Sequence, residues 1–141
     1  MRESQSKPAA RSSPIPTAWS EVAEWYDALV GEGGSEYHQH VVLPGVIKLL
    51  QPQPGQKILD AACGQGVLSR LLAAKGVSVT AFDASKELVE SARDHSQQQA
   101  TDGSLEYLVL DATKNFANFL PTATFDSAAC VLAIQNIHPI Q

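Results

Sequence analysis

The chain has 141 residues, a formal net charge of -5 and an ordinary apolar content of 44%. That length fits one domain with a core of its own. The acidic balance and the lack of any basic run argue against a general nucleic-acid binder, and no apolar run reaches transmembrane length.

Residues 1–17 are rich in Ser, Pro and Gln and are expected to form a flexible tail. The start lacks the apolar stretch of a signal peptide, so a cytoplasmic protein is expected. Residues 18–141 are read as one domain. Its first helix begins near Ala18, with Ser20 as candidate N-cap and Val22, Trp25, Tyr26 and Leu29 at helical spacing. Gly31, Gly33 and Gly34 break it. A second helix is expected over 35–50, kinked or split by Pro44. Trp19, Trp25, Tyr26, Tyr37, His38 and His40 crowd this front segment, either as packing or as a cover over a ligand. His38 and His40 fall on its polar side and read as solvated.

Gln51-Pro52-Gln53-Pro54-Gly55 then breaks the chain before the apolar strand Lys57–Ala61. A tight turn with Gly64 and Gly66 follows, then a helix from Val67 to about Lys75 with Gly76 after its end. The glycines let backbone approach a ligand, and amides at the helix start favour an anionic group. A dinucleotide fingerprint would need a third glycine where Ser69 stands. Asp60, on the strand four residues before Gly64, would repel a diphosphate but suits an ammonium or sulfonium.

Val77–Asp83 reads as a second strand and Ser85 to about Ser96 as an amphipathic helix. Leu105–Asp111 reads as a third strand, so three strands in turn end in aspartate. Parallel crossovers would bring Asp60, Asp83 and Asp111 to one sheet edge, where open α/β sheets bind ligands. Asp83 is placed to hold ribose hydroxyls, or else to charge the N-terminus of the following helix. Asp111 is either a ligand contact or a turn-starting residue before Thr113. A short helix is expected over 115–120 and a fourth strand over Phe125–Ile134. Cys63 and Cys130 read as two reduced core residues, and no His/Cys cluster has metal-ligand spacing.

The run Asp60-Ala61-Ala62-Cys63-Gly64-Gln65-Gly66 resembles the first motif of the class I S-adenosylmethionine-dependent methyltransferases. It departs in having Ala62 where many members have the first glycine. The resemblance implies a Rossmann-like, doubly wound parallel α/β sheet with N-terminal helices, and S-adenosyl-L-methionine as cofactor. It implies cofactor contacts at Asp60, Ala62, Gly64 and Gly66 for the methionine end. Asp83 and Ala84 would hold the ribose, Asp111 and Ala112 the adenine, and Tyr26 would cover the site. Gln135, Asn136 and His138 would lie near the transferred methyl, with His138 the candidate for a catalytic base. The family sheet has spatial order 3-2-1-4-5-7-6, of which only the first four strands are expected here. The chain would then stop after its fourth strand, with a free edge open to self-association.

The implied activity is methyl transfer to a small-molecule acceptor. An NAD(P)-dependent oxidoreductase and a non-catalytic cofactor-binding or interaction domain are the alternatives. The same scaffold carries many activities, so the fold does not choose among them.

Overall fold

The computed structural model describes residues 18–31, 34–99, 103–114, 118–120 and 123–137. It shows a four-stranded sheet in the order β3-β2-β1-β4, with every pairing parallel. The strands are β1 (Lys57–Ala61), β2 (Ser78–Asp83), β3 (Leu105–Val109) and β4 (Ser127–Ala129). The helices are α1 (Ala18–Val30), α2 (Leu43–Leu50), α3 (Val67–Ala73) and α4 (Lys86–Gln97). None of the described helices is long and apolar enough to cross a membrane.

The sheet forms because β1 and β2 carry apolar residues on both faces, as parallel strands covered on both sides must. Ile58, Val79 and Ala81 are fully buried or nearly so, with Leu72 and Ala73 of α3 and Val89 and Ala92 of α4 around them. Register pairs Asp60 with Ala81 on one side and Ala129 on the other. Strand alternation sets Asp60 on the same face as Ile58. A carboxyl group therefore occupies a core position, 2% exposed. At the opposite end of the sheet Asp126 closes the β1–β4 pair. Its Oδ2 accepts from the Lys57 N–H, and its own N–H donates to the Lys57 carbonyl, both at 2.8 Å.

Several expectations need correcting. Ser20 lies inside α1 instead of capping it, and its hydroxyl donates to Ser85 Oγ at 3.4 Å, which ties α1 to α4. Val22 and Trp25 are exposed, and Ala23 is the buried residue among those of that helix whose side chains are described. The front segment is helical without a gap from 36 to 50. A π-helical turn, His38–Val42, runs straight into α2, and Pro44 stands just past it, so the change of helix type falls beside the proline expected to kink or split the helix. β3 stops at Val109, so Asp111 lies two residues beyond the strand.

The fourth strand is the largest difference. Ten residues were expected and three are found. β1 offers Ile58, Leu59 and Asp60 as partners, and Leu132 then takes φ +53°, which turns the chain off the sheet. A 3₁₀ turn, Ile134–Asn136, follows. The edge open to another chain is thus short, and Cys130 is exposed instead of being a core residue. The helix expected over 115–120 and the base candidate His138 fall largely or wholly outside the described residues.

Candidate functional site

The turn after β1 is built by backbone that few side chains tolerate. Ala62, Gly64 and Gly66 all have positive φ, at +55°, +55° and +80°. The turn closes with the Gly66 N–H donating to the Cys63 carbonyl at 3.0 Å. Gly66 is required for a second reason: a Cβ there would collide with the Tyr107 hydroxyl and ring. Tyr107 is held in place by Ser96, 3.0 Å from its hydroxyl. Gly66 therefore sits beneath the turn, against β3.

A cleft opens at the carboxyl ends of the strands. Asp60, Ala62, Gly64, Asp83, Ala84, Asp111 and Ala112 all line it. Seven of the nine proposed cofactor residues come together there. Gly66 is not on its wall, and the Tyr26 side chain lies outside the described atoms. Among the described lining residues there is no lysine or arginine.

Each acid is held differently. Asp60 Oδ2 accepts from Ser69 Oγ at 2.6 Å. Burial pushes its carboxyl up to about 7, the Ser69 bond opposes that, and the Asp83 charge adds to it. Asp83 accepts the Gly64 N–H on Oδ2 and the Ser85 N–H on Oδ1, each at 2.9 Å. Its carboxyl is raised by burial, with the amides of Ser85, Gly64 and Ala84 opposing. The Gly64 amide is thus engaged by Asp83 and is not one of the helix-start amides expected to favour an anion. A carboxylate has about four acceptor sites, so Asp83 keeps room for two further donors.

Asp111 starts the turn that follows β3. Its Oδ1 accepts from the Thr113 N–H at 2.9 Å and from the Thr113 hydroxyl at 2.6 Å, and Lys114 Nζ is 3.3 Å from Oδ2. These bonds, Thr113 first, hold its carboxyl below the ordinary value. Both readings of this residue coexist, because it also lines the cleft.

Other lining residues had no such assignment from sequence. His38, read as solvated, is half-buried on the wall, while His40 is exposed. Leu43, Val131, Leu132, Ala133 and Ile137 form an apolar side, and Asn136 joins them. Gln135 and Tyr37 are not on the wall. Cys63 is on it, with a thiol raised well above the ordinary value by burial and by the charges of Asp60 and Asp83. It is a poor nucleophile in that setting. The turn is braced from below by the buried Arg70, whose Nη1 donates to the Gln65 carbonyl at 2.6 Å. The buried Gln65 side chain in turn donates from Nε2 to the Gly31 carbonyl, joining the turn to the end of α1. The burial of Gln65 in the turn and of Arg70 in α3 gave no signal in the sequence.

An acid-lined cleft at a glycine turn, on this strand order, defines a nucleoside-binding α/β fold of the methyltransferase kind. The methyltransferase-domain family matches residues 58–141, and the chain belongs to it as a class I S-adenosylmethionine-dependent methyltransferase domain. Over 84 residues it is 40% identical to the mitochondrial ubiquinone biosynthesis O-methyltransferase of Schizosaccharomyces pombe, covering 59% of this chain and 29% of that protein. Over 116 residues it is 30% identical to the ubiquinone biosynthesis O-methyltransferase of Xanthomonas campestris pv. campestris, covering 80% of this chain and 45% of that one. A SAM-dependent methyltransferase of Geobacter sulfurreducens, solved in complex with S-adenosyl-L-homocysteine, superposes with a TM-score of 0.63 at 19% identity. That match covers 86% of this chain and 45% of the solved one, and shows the fold alone. The chain spans less than half the length of each of these three proteins.

Proposed function

We propose that this chain is the cofactor-binding part of an S-adenosyl-L-methionine-dependent methyltransferase that acts on a hydroxyl group of a small molecule. The observation that carries the reading is the donor set of the cleft: three carboxylates and, among the described residues, no lysine or arginine. Such a wall suits a ligand that brings an ammonium, a sulfonium and ribose hydroxyls. It is unfavourable to the diphosphate of a nicotinamide cofactor, so an oxidoreductase finds no support.

In this reading Asp60 faces the ammonium end. A cation brought close to Asp60 would draw its proton off, because an opposite charge favours the carboxylate. Asp83, with spare lone pairs beside its two amide bonds, takes the ribose hydroxyls. Asp111 and Ala112 take the adenine edge. Ala62 and Ala84 keep the walls small, and the Gly64–Gly66 turn shapes the methionine end. Tyr26 and His138 stay proposed members of the site. Bound there, S-adenosyl-L-methionine supplies a methyl group already activated by positively charged sulfur. The protein's task is then to align the acceptor and exclude water.

An oxygen acceptor is supported by the names of both curated relatives, which are O-methyltransferases. A small acceptor is supported by the apolar side of the cleft. The free thiols of Cys63 and Cys130 support a reducing, cytoplasmic setting.

Calorimetric titration with S-adenosylhomocysteine, with NADH in parallel and Asp83→Ala as control, tests the reading. Saturable binding of the nucleoside that Asp83→Ala loses is the expected result. Preferential binding of NADH would overturn it.

A further inference from the structure

We propose that His38 is the proton acceptor for the methylated hydroxyl, and that this hydroxyl is carried on an apolar ring; the inference rests on the methyl-transfer reading above. An ordinary phenol ionises near pH 10, so only about one molecule in a thousand is an oxyanion at pH 7. A base that takes the proton removes that deficit.

The cleft offers five described side chains able to take a proton: His38, Asp60, Cys63, Asp83 and Asp111. Four are committed. Asp60 is 2% exposed and bonded to Ser69. Asp83 holds a backbone amide on each oxygen and, in the reading above, takes the ribose hydroxyls with its remaining lone pairs. Asp111 is bound to Thr113 and Lys114, which makes it a weaker base than usual. Cys63 is buried beside two acids, which keeps its thiol protonated. His38 remains, half-buried on the cleft wall, and an imidazole is the side chain that most often serves as a general base.

The local backbone positions that ring. His38 opens the π-helical turn before α2, a kind of turn that recurs at functional sites. Gly34 has φ +88°, and a Cβ on it would stand 3.0 Å from His38 Cβ, so a side chain there would strain the backbone and crowd the histidine. Ser35 Oγ lies 3.1 Å from His38 Nδ1 and accepts the His38 backbone N–H at 3.3 Å. A hydroxyl oxygen has two acceptor sites, so it can accept Nδ1–H as well. That tautomer leaves the lone pair on Nε2. On the same wall, Leu43, Val131, Leu132 and Ile137 offer apolar contact for a ring, and Asn136 offers one amide.

The proton passes from the acceptor hydroxyl to His38 Nε2. The freed oxygen pair forms the new O–C bond as the donor's S–C bond breaks, and that electron pair stays on sulfur. The imidazolium keeps its Nδ1–H on Ser35 and later yields the extra proton to water.

Para-nitrophenol, coloured only when ionised, is the probe. It is titrated into the full chain loaded with S-adenosylhomocysteine near neutral pH, where the free phenol is only partly ionised and an ordinary imidazole is largely neutral. The expected result is a saturable rise of the phenolate band above that of the free phenol, with the His38 ring nitrogens moving to imidazolium shifts by NMR. His38→Asn should lower that rise at least tenfold. Ser35→Ala should lower it while keeping His38, and Ser35→Thr should restore it. An equal rise in His38→Asn, or a saturably bound but un-ionised phenol, overturns the inference. So does failure of the probe to bind a chain that binds S-adenosylhomocysteine. Failure of S-adenosylhomocysteine itself to bind overturns the methyl-transfer reading, and this inference with it.

Discussion

Ser69 Oγ donates to Asp60 Oδ2 at 2.6 Å, so the residue that replaces a third glycine of the dinucleotide pattern holds the acid of the methyltransferase motif. Both side chains are buried. Ser69→Ala removes this bond, the one local contact that favours the charged form of Asp60. Its carboxyl then titrates higher than about 7. The expected outcome is a loss of about 1–3 kcal/mol in stability where Asp60 is ionised. Weaker S-adenosylhomocysteine binding at neutral pH should accompany it, and denaturant melts and calorimetry read the two effects.

Asp60 also sets a pH dependence. Its folded value of about 7 lies above the ordinary 3.8. Between those values the folded state holds a proton that the unfolded state has released. Stability therefore falls as pH rises through this window, by roughly 4 kcal/mol in all. Asp83 is displaced in the same direction. Asp60→Asn should flatten the slope and raise the melting temperature above pH 7, while weakening nucleoside binding. Melting curves for both proteins across pH 4 to 8 would be compared, and parallel slopes would sink the argument.

Ala62 occupies left-handed backbone at φ +55° on the wall of the cleft. An L-residue gives up about 1–2 kcal/mol there, part of which a glycine returns through its looser unfolded chain. Ala62→Gly should stabilise the chain by up to about 1 kcal/mol. Ala62→Val should destabilise it, because a branched Cβ fits this region worse. Urea titration of the pair checks the opposite signs.

Gly66 and Tyr107 form the other tight contact of the turn. Gly66→Ala meets both a positive φ of +80° and the tyrosine ring. A loss of about 2 kcal/mol or more is expected. Tyr107→Phe removes the nearest atom of the collision and also forfeits the Ser96 bond. The double variant should therefore lose less than the two single losses added together. A thermodynamic cycle would show the coupling, and strict additivity would place the strain elsewhere.

Four strand positions, three crossover connections and the gathering of three acids at or just beyond the strand ends were legible from residue order alone. Apolar runs of β length separated by helical periodicity leave few arrangements, and parallel crossovers have one hand. That logic brings Asp60, Asp83 and Asp111 to one edge whatever the side-chain packing. The short fourth strand was not legible. Ala128–Ile134 is apolar enough to extend, but pairing is set by the neighbour, and β1 supplies three partners before Leu132 turns away.

Local chemistry determined the glycine turn and the acids, because both depend on residue type at fixed spacing. Only tertiary structure decided what each group does with its bonds. It set Asp60 on a core face under Ser69, gave the Gly64 amide to Asp83, pressed Gly66 on Tyr107, and brought His38 to the cleft from a segment that precedes the sheet. Those outcomes depend on desolvation and on partners distant in sequence, which no spacing along the chain records.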